Sequence, residues 1–546
     1  MPLLLPSTHV DTFARDRLPP PEQWPELLFE LPTLQFPERL NCVAALLDAR
    51  VAAGEGQRLA IQGEGVRWTY AQLQAQVNRV ANELVEGMGL VSGNRVLLRG
   101  ANTPMLAACW LAVVKAGGIA VGSMPLLRAK ELRQIIDKAE ISHALCDARL
   151  AEELRLAQAD GGAATLRQIA FFHDGGADGL EARAERRSAQ FETVPTSADD
   201  VCLMAFTSGT TGTPKATMHF HRDVTAACAC WPAHVLRATA DDVFIGSPPL
   251  AFTFGLGGLL LFPMSVGAST VLIEKATPDT LPAAIARYRA TVCFTAPTSY
   301  RAIAMGLKAE PGKFDLGSLR KCVSAGEALP AATRTLWREV TGIEIIDGIG
   351  STELLHIFVS ADEAHAKPGA TGLPVPGYRA CVLDDEGREV PRGQVGRLAI
   401  KGPTGCKYLA DERQKQYVQN GWNLTGDAYK IDEDGQFVYQ ARTDDMIISG
   451  GYNIAGPEVE SALLLHSAVA ECGVVGLADA ERGQIVKAFV VLKPGQTGDA
   501  AMTKALQDFV KQSIAPYKYP RAIEYRDQLP RTETGKLQRF RLRQPV

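Results

Sequence analysis

Residues 207–215 read Thr-Ser-Gly-Thr-Thr-Gly-Thr-Pro-Lys and follow directly on the apolar run 201–206. A strand ending in such a loop can turn backbone N–H groups, hydroxyls and an ammonium toward one polyanion. Its glycines allow the backbone to come close to phosphate oxygens. The chemistry within reach is the holding of nucleotide phosphates by Thr207, Ser208, Thr210, Thr211 and Lys215. The spacing is not that of a Walker A loop, which needs four residues between its glycine and Gly-Lys-Ser/Thr. Gly209 and Gly212 are too close together, Pro214 precedes Lys215, and Ala216 follows it. A polar surface turn is the competing reading, because Ser/Thr/Gly clusters are usually loops.

Five further segments have unusual composition for packing. Ser324-Ala325-Gly326-Glu327 and Asp347-Gly348-Ile349-Gly350-Ser351-Thr352-Glu353 each follow an apolar run and end in an acid. Thr425-Gly426-Asp427, Tyr439-Gln440-Ala441-Arg442 and Pro530-Arg531-Thr532-Glu533-Thr534-Gly535-Lys536 add an aspartate, an arginine and a near-terminal lysine. Each has an ordinary reading as well: Gly-Ser-Thr-Glu can cap a helix, Thr-Gly-Asp can turn, and a terminal Gly-Lys can be a solvated tail.

The elements that must position these groups alternate. Runs 95–98 and 119–122 read as buried strands around a helix at 103–115 that Gly117-Gly118 stops, and 130–138 reads as another helix. Residues 174–198 read as an exposed connection. Alternation resumes with helices at 282–289 and 331–340 and strands at 291–295, 321–324 and 343–347. The pattern predicts an α/β architecture with a largely parallel sheet, in which ligands bind beyond the carboxyl ends of the strands. Residues 370–440 change character: short runs at 379–383 and 397–401 separated by Asp385-Glu386-Gly387 and Pro391-Arg392-Gly393 predict a small β-rich subdomain. Beyond 442–445, helices at 457–465 and 502–513 and strands at 471–475, 486–492 and 522–525 make a compact α+β unit. Residues 1–40, rich in proline, are expected to wrap the surface.

The bulk properties exclude several classes. A chain of 546 residues exceeds one ordinary core. A net charge of −4 gives no footprint for nucleic acid. Eleven cysteines without a C-x-x-C pair suit a reducing cytoplasmic setting. The early prolines are not a secretory signal, and runs such as 256–262 are too short to span a bilayer. His219 and His221 form a His-x-His pair that strand alternation explains, with no thiol or carboxylate cluster beside it to favour a metal site.

Occurring together in this order, these segments resemble the adenylate-forming superfamily of acyl- and aryl-CoA synthetases, peptide-synthetase adenylation domains and luciferases, across essentially the whole chain. Within it the chain looks most like the benzoate and 2-aminobenzoate CoA ligases, through Asp11-Thr12-Phe13-Ala14-Arg15-Asp16, Phe254-Gly255-Leu256-Gly257 and the stretch from Gly350-Ser351-Thr352-Glu353 to Leu354-Leu355-His356-Ile357-Phe358. The resemblance implies an N-terminal domain (1–442) that binds ATP and an aryl acid, and a mobile C-terminal domain (443–546). It implies a two-step reaction: acyl-adenylate formation with release of pyrophosphate, then transfer of the acyl group to CoA with release of AMP.

By the same resemblance, the 207–215 loop holds the β- and γ-phosphates, Thr352 binds the α-phosphate and Glu353 holds Mg²⁺. Asp427 and Arg442 take the ribose, with Tyr439 beside them. Gly326, Glu327, Asp347 and Gly348 frame the adenine. Lys536 bridges the carboxylate and the α-phosphate. The C-terminal domain rotates about Asp444 to bring Gly450, Gly451 and Tyr452 to a pantetheine tunnel. Phe252, Thr253, Phe254, Ala325, Ile349 and His356 match the aryl pocket. Ala216 departs from the glycine common after the loop lysine, and Ile448 stands where some benzoate ligases carry a second lysine. No residue stands out as a carboxylate-binding arginine or an amine-binding aspartate, so a neutral hydrophobic or aromatic acid suits better than an α-amino acid, and the resemblance points to an aromatic one such as 2-aminobenzoate or benzoate. A medium-chain fatty acyl-CoA ligase and an enzyme loading a carrier protein are the alternatives, and a homodimer is left open. Neither nucleic acid nor membrane is expected as a partner.

Overall fold

The computed structural model describes residues 4–544 except 64, 208–213, 450–451, 480–481, 515 and 532–536. A hairpin of β1 (Leu59–Gly63) and β2 (Val66–Thr69) precedes β3 (Arg95–Arg99), β4 (Ile119–Ser123), β5 (His143–Asp147) and β6 (Gln168–Phe172). Helices Pro104–Lys115, Ala129–Ala139 and Ala151–Gln158 separate the last four. With β7 (Val201–Thr207) and β8 (Lys215–Phe220) they form a sheet of order β6-β5-β3-β4-β7-β8, parallel except for the β7–β8 hairpin.

A second sheet gathers β9 (Val243–Gly246), β10 (Ser269–Leu272), β11 (Val292–Thr295), β12 (Lys321–Ser324), β13 (Ile345–Gly350), β14 (Ile357–Ser360) and β15 (Leu373–Pro374). Its order is β15-β14-β13-β12-β11-β9-β10-β1-β2, parallel from β13 to β1 and antiparallel at both edges. The expected α/β class holds. Every residue of Pro104–Lys115 is buried. A helix apolar on all sides has to be covered on all sides. Its one charge, Lys115, reaches Asp48 Oδ1 at 2.6 Å.

β16 (Arg379–Leu383), β17 (Gly396–Lys401), β18 (Val418–Gln419), β19 (Trp422–Ile431) and β20 (Phe437–Arg442) make the expected β-rich unit, an antiparallel sheet. The C-terminal part contains β21 (Ile447–Ser449), β22 (Tyr452–Ile454), β23 (Val469–Asp479), β24 (Gly483–Leu492) and β25 (Ala522–Tyr525) with helices Gly456–Leu463 and Ala500–Ser513. Ile447, Val459, Val474, Val486, Leu506 and Val510 form a core of its own.

Two sequence expectations change. Residues 174–198 are not simply an exposed connection: Leu180–Glu185 is a helix that buries Leu180 and Ala184, four residues apart. Asn82 Nδ2 then donates to the Ser188 and Gln190 carbonyls at 2.9 and 2.8 Å. The strand expected at 343–347 runs on to Gly350, because Gly348 to Gly350 pair antiparallel with β14. A Cβ at Gly350 would lie 2.7 Å from the His356 backbone, so only glycine permits that pairing.

At the amino ends of β9, β11 and β12, Asp242 knots three strands together. It is 2 % exposed and accepts from Thr239 N at 2.8 Å, Thr291 Oγ1 at 2.6 Å and Arg320 Nε at 2.9 Å. Asp242→Ala orphans these donors and is expected to cost about 2–3 kcal/mol of stability. Urea unfolding with an unchanged m-value would measure it.

Candidate active site

In the second sheet β9 is flanked by β10 on one side and β11 on the other. The chain therefore reverses its winding at β9, and crevices open at such switch points beyond the carboxyl ends of strands. Ser247 Oγ and Thr295 Oγ1, 2.6 Å apart, tie the ends of β9 and β11 there. The segment leaving β9 carries Phe252, Thr253 and Phe254. Phe254 packs on Phe294 and His356, with ring centroids 5.6 and 5.7 Å away. His356 also meets Phe262 edge-on at 4.4 Å. Its Nε2–H donates to the Phe254 carbonyl at 3.4 Å, which places the proton on Nε2. Burial pushes the imidazole down to about 3, so the ring is neutral at physiological pH and suits packing better than proton transfer. A Cβ on Gly257 would come within 2.4 Å of His356 Cδ2. Ala325, Phe254 and Ile349 border the same apolar core.

The β7–β8 hairpin presents the phosphate-loop candidates. Thr207 and Lys215 are paired across it; Ser208, Thr210 and Thr211 lie outside the described residues. Lys215 Nζ donates to Tyr408 Oη at 2.8 Å and stands 3.4 Å from Glu353 Oε1. Tyr408 donates to the same Glu353 oxygen at 2.5 Å. Burial, then the Glu353 charge, push the Tyr408 phenol far up, so it remains a donor. Tyr408 was not singled out from sequence: a tyrosine between Lys407 and Leu409 carries no local signal.

Thr352 and Glu353 sit in the 3₁₀ turn Thr352–Leu354, and the Ser351 side chain accepts from Leu354 N at 3.3 Å. The helix-cap reading of Gly-Ser-Thr-Glu is thus correct, and the same turn aims Glu353 at Lys215. The next residue, Leu355, has φ +73°, an unfavourable conformation for a branched side chain.

A cavity of about 880 Å³ gathers Gly326, Glu327, Asp347, Gly348, Asp427, Tyr439 and Arg442. Asp427 and Arg442 are register partners on β19 and β20, with Nη1 3.2 Å from Oδ1. Gly426 takes φ +76° inside β19, and a Cβ there would meet Arg442 Nη2 at 2.8 Å. The Thr-Gly-Asp turn alternative is therefore replaced by strand. From the C-terminal part, Glu471, Arg531, Leu537 and Arg539 line the same cavity. Arg531 Nη1 stands 3.7 Å from Glu327 Oε1, and Arg531 pairs with Leu537 in an antiparallel bridge. Lys536 lies outside the described residues. Asp444 falls in the turn Thr443–Asp445 with its side chain outside the described residues. Gly450 and Gly451 are likewise outside. Tyr452 pairs with Ser449 at the start of β22, its side chain undescribed.

The His-x-His pair is not without company. His219 sits near the end of β8 next to Asp223, and His221 begins the following helix with Cys42 and Cys202 nearby. The Cys42 amide donates to His221 Nδ1 at 3.1 Å. That bond occupies the lone pair a metal would need.

A buried carboxylate beside a lysine-ended hairpin, next to a cavity lined by a paired aspartate and arginine, suits an enzyme that activates a substrate with a nucleotide. The chain belongs to the AMP-binding enzyme family: residues 48–408 match the model of AMP-binding enzymes and 458–536 that of the AMP-binding enzyme C-terminal domain. It is 35% identical over 516 residues to a benzoate–CoA ligase of Thauera aromatica, covering 94% of this chain and 97% of that one. The structure of the anthranilate CoA ligase AuaEII in complex with anthranoyl-AMP superimposes with a TM-score of 0.88 at 36% identity, over 94% of this chain and 98% of that one. A benzoate CoA ligase from Burkholderia xenovorans gives 0.83 at 31% identity, over 92% of this chain and all (100%) of that one. Among the described residues no helix is long and apolar enough to cross a membrane.

Asp347 makes a pH prediction. Burial pushes its carboxyl up to about 6, with the Arg334 charge opposing, and Oδ1 has no hydrogen-bond partner among the described residues. A folded-state value above the unfolded one means stability is lost as pH rises from about 4 through 6 and the cost is complete above that. Asp347→Asn removes the ionisation. The ligand-free variant is expected to exceed the parent by about 1–3 kcal/mol at pH 7.5 and to match it near pH 4, by urea unfolding at both values.

Proposed function

We propose that the protein is an ATP-dependent aryl-CoA ligase acting on an aromatic carboxylate such as 2-aminobenzoate or benzoate. The observation that carries this reading is the meeting of Lys215 and Tyr408 with Glu353, three residues on from Gly350 in the lining of the cavity that Asp427 and Arg442 also line. The similarity to an anthranilate and two benzoate CoA ligases supports the acid class. In the first step a carboxylate oxygen attacks the α-phosphorus of ATP and the bond to pyrophosphate breaks. In the second, the CoA sulfur attacks the acyl carbon, AMP leaves with the bridging oxygen, and the thiol proton passes to solvent.

Thr207, Ser208, Thr210, Thr211 and Lys215 hold the β- and γ-phosphates, with Lys215 neutralising the leaving pyrophosphate; Thr352 binds the α-phosphate, and Asp427 with Arg442 holds the ribose. Tyr439 lies beside the ribose, and Gly326, Glu327, Asp347 and Gly348 frame the adenine. Glu353 offers the hard oxygen that Mg²⁺ prefers; the ion, when bound, screens phosphate charge. Residues 1–442 form the adenylating domain. Residues 443–546 swing about Asp444, first presenting Lys536 and then the Gly450-Gly451-Tyr452 tunnel for CoA. The eleven free cysteines suit the cytoplasm.

A panel of benzoate, 2-aminobenzoate, hydroxybenzoates, phenylacetate and octanoate, assayed for AMP release with and without CoA, tests the reading. AMP release only with octanoate, or without consumption of free CoA, would overturn it. Lys536→Ala is expected to abolish ATP–pyrophosphate exchange and to spare thioester formation from supplied aryl-adenylate, because an ammonium at that position stabilises charge that develops in the first step alone. Thr253 is a buried hydroxyl beside Phe254 and can accept from an ortho-amino group. One such bond is worth about 0.5–1.5 kcal/mol. Thr253→Ala should therefore lower kcat/KM about 2- to 12-fold for 2-aminobenzoate, with a smaller effect on benzoate.

A further inference from the structure

The adenylation reading leaves the His219-x-His221 motif without a task. His219 sits near the end of β8, the strand that Lys215 begins. Its Nε2 lies 2.8 Å from the carbonyl oxygen of Thr352. A carbonyl only accepts, so Nε2 carries the proton. Behind the ring, Nδ1 stands 3.8 Å from Asp223 Oδ2. That oxygen accepts from Lys407 Nζ and from the Phe220 amide, each at 3.0 Å. Lys407 Nζ also donates to the Gly405 carbonyl at 3.0 Å. His219, Asp223 and Lys407 are all fully buried. Burial opposes the Asp223 charge, yet the Lys407 ammonium holds this carboxyl well below the usual range.

Thr352 O accepts a second bond, from Leu355 N at 3.2 Å within its own turn. Leu355 is the residue at φ +73°. A turn whose exit is strained needs an external tether, and His219 is the side chain that supplies one to this carbonyl. We propose that His219 is a positioning residue for adenylation: its Nε2–H fixes the Thr352 carbonyl, and through it the Thr352 hydroxyl and the Glu353 carboxylate, in register with the phosphate hairpin. The proposal rests on the roles given above to Thr352 and Glu353. Reaction rates are sensitive at this scale, because a displacement of about 1 Å in a reacting constellation costs on the order of 100-fold.

The experiment compares His219→Gln, which keeps an N–H donor at the end of the side chain, with His219→Leu, which keeps bulk and loses the donor. Single-turnover pyrophosphate release reads adenylation, and thioester formation from supplied aryl-adenylate and CoA reads the second step. His219→Leu is expected to slow adenylation by about 30-fold or more, with KM for the acid and the second step within about 3-fold, and His219→Gln to return adenylation to within about 5-fold of the parent. Equal losses in both steps, or a Gln variant no better than the Leu variant, would give His219 a packing role only and overturn the proposal. If the Leu variant does not fold, a folded Gln variant impaired about 30-fold in adenylation overturns it as well. A parent enzyme that releases no pyrophosphate with any aryl acid overturns the ligase reading and this proposal with it. An active parent with an unimpaired Leu variant overturns the positioning role alone.

Discussion

A carboxylate buried among aromatic side chains is the constraint around which this site is arranged. Glu353 is 7 % exposed, and its Oε1 is held by the Tyr408 hydroxyl and the Lys215 ammonium. Removing an ionised carboxylate from water costs several kcal/mol unless partners replace the lost hydration. Three distant pieces of chain are therefore obliged to meet: the start of β8, the turn after β13 and the segment after β17. Lys215 Nζ lies 4.8 Å from the Tyr408 ring centroid and 6.0 Å from that of Tyr417, so its ammonium faces two aromatic rings. A polyanion arriving at the hairpin finds a cation already oriented and competes with Glu353 for it.

The backbone makes the same connection. Residues 407–409 pair with the outer edge of β8 through Met218 N to Lys407 O at 2.8 Å, Leu409 N to Ala216 O at 2.9 Å and a Thr217–Tyr408 bridge. An uncovered edge strand would invite pairing with another chain; here the β-rich unit covers it. That covering brings Tyr408 to Glu353 and Lys407 to Asp223. The same unit carries Asp427 and Arg442 on adjacent strands, so it joins the Lys215 hairpin to the cavity that these two residues line.

Much of this was legible in the sequence because the informative residues are contiguous. The β7–β8 loop, Gly326-Glu327, the 347–353 stretch and the Asp427 and Arg442 segments each announce themselves by small residues ending in a charge. The parallel strands were legible from apolar runs. What escaped depends on partners remote in sequence. Tyr408 and Lys407 acquire meaning only beside Glu353 and Asp223. His219 looks like strand alternation until Thr352 O is seen 2.8 Å away. The helix Leu180–Glu185 rests on two apolar positions in a polar stretch, too weak a period to read, and the extension of β13 depends on glycines that also read as loop.

Polar contacts join the C-terminal part to this face. Arg531 divides itself between Glu471 at 2.9 Å and Glu327 at 3.7 Å, and Arg301 Nε reaches the Ala470 carbonyl at 3.3 Å. Polar groups of this kind exchange protein partners for water at little net cost, which suits the rotation proposed above. Arg442 is the last residue of β20, and the turn Thr443–Asp445 follows at once. Its pairing with Asp427 belongs to the β19–β20 register, so a rotation of the kind proposed above, beginning at Asp444, would leave the Asp427–Arg442 pair with residues 1–442. On the proposed reading the nucleotide would then stay with one body while the groups that act on it are exchanged by the other.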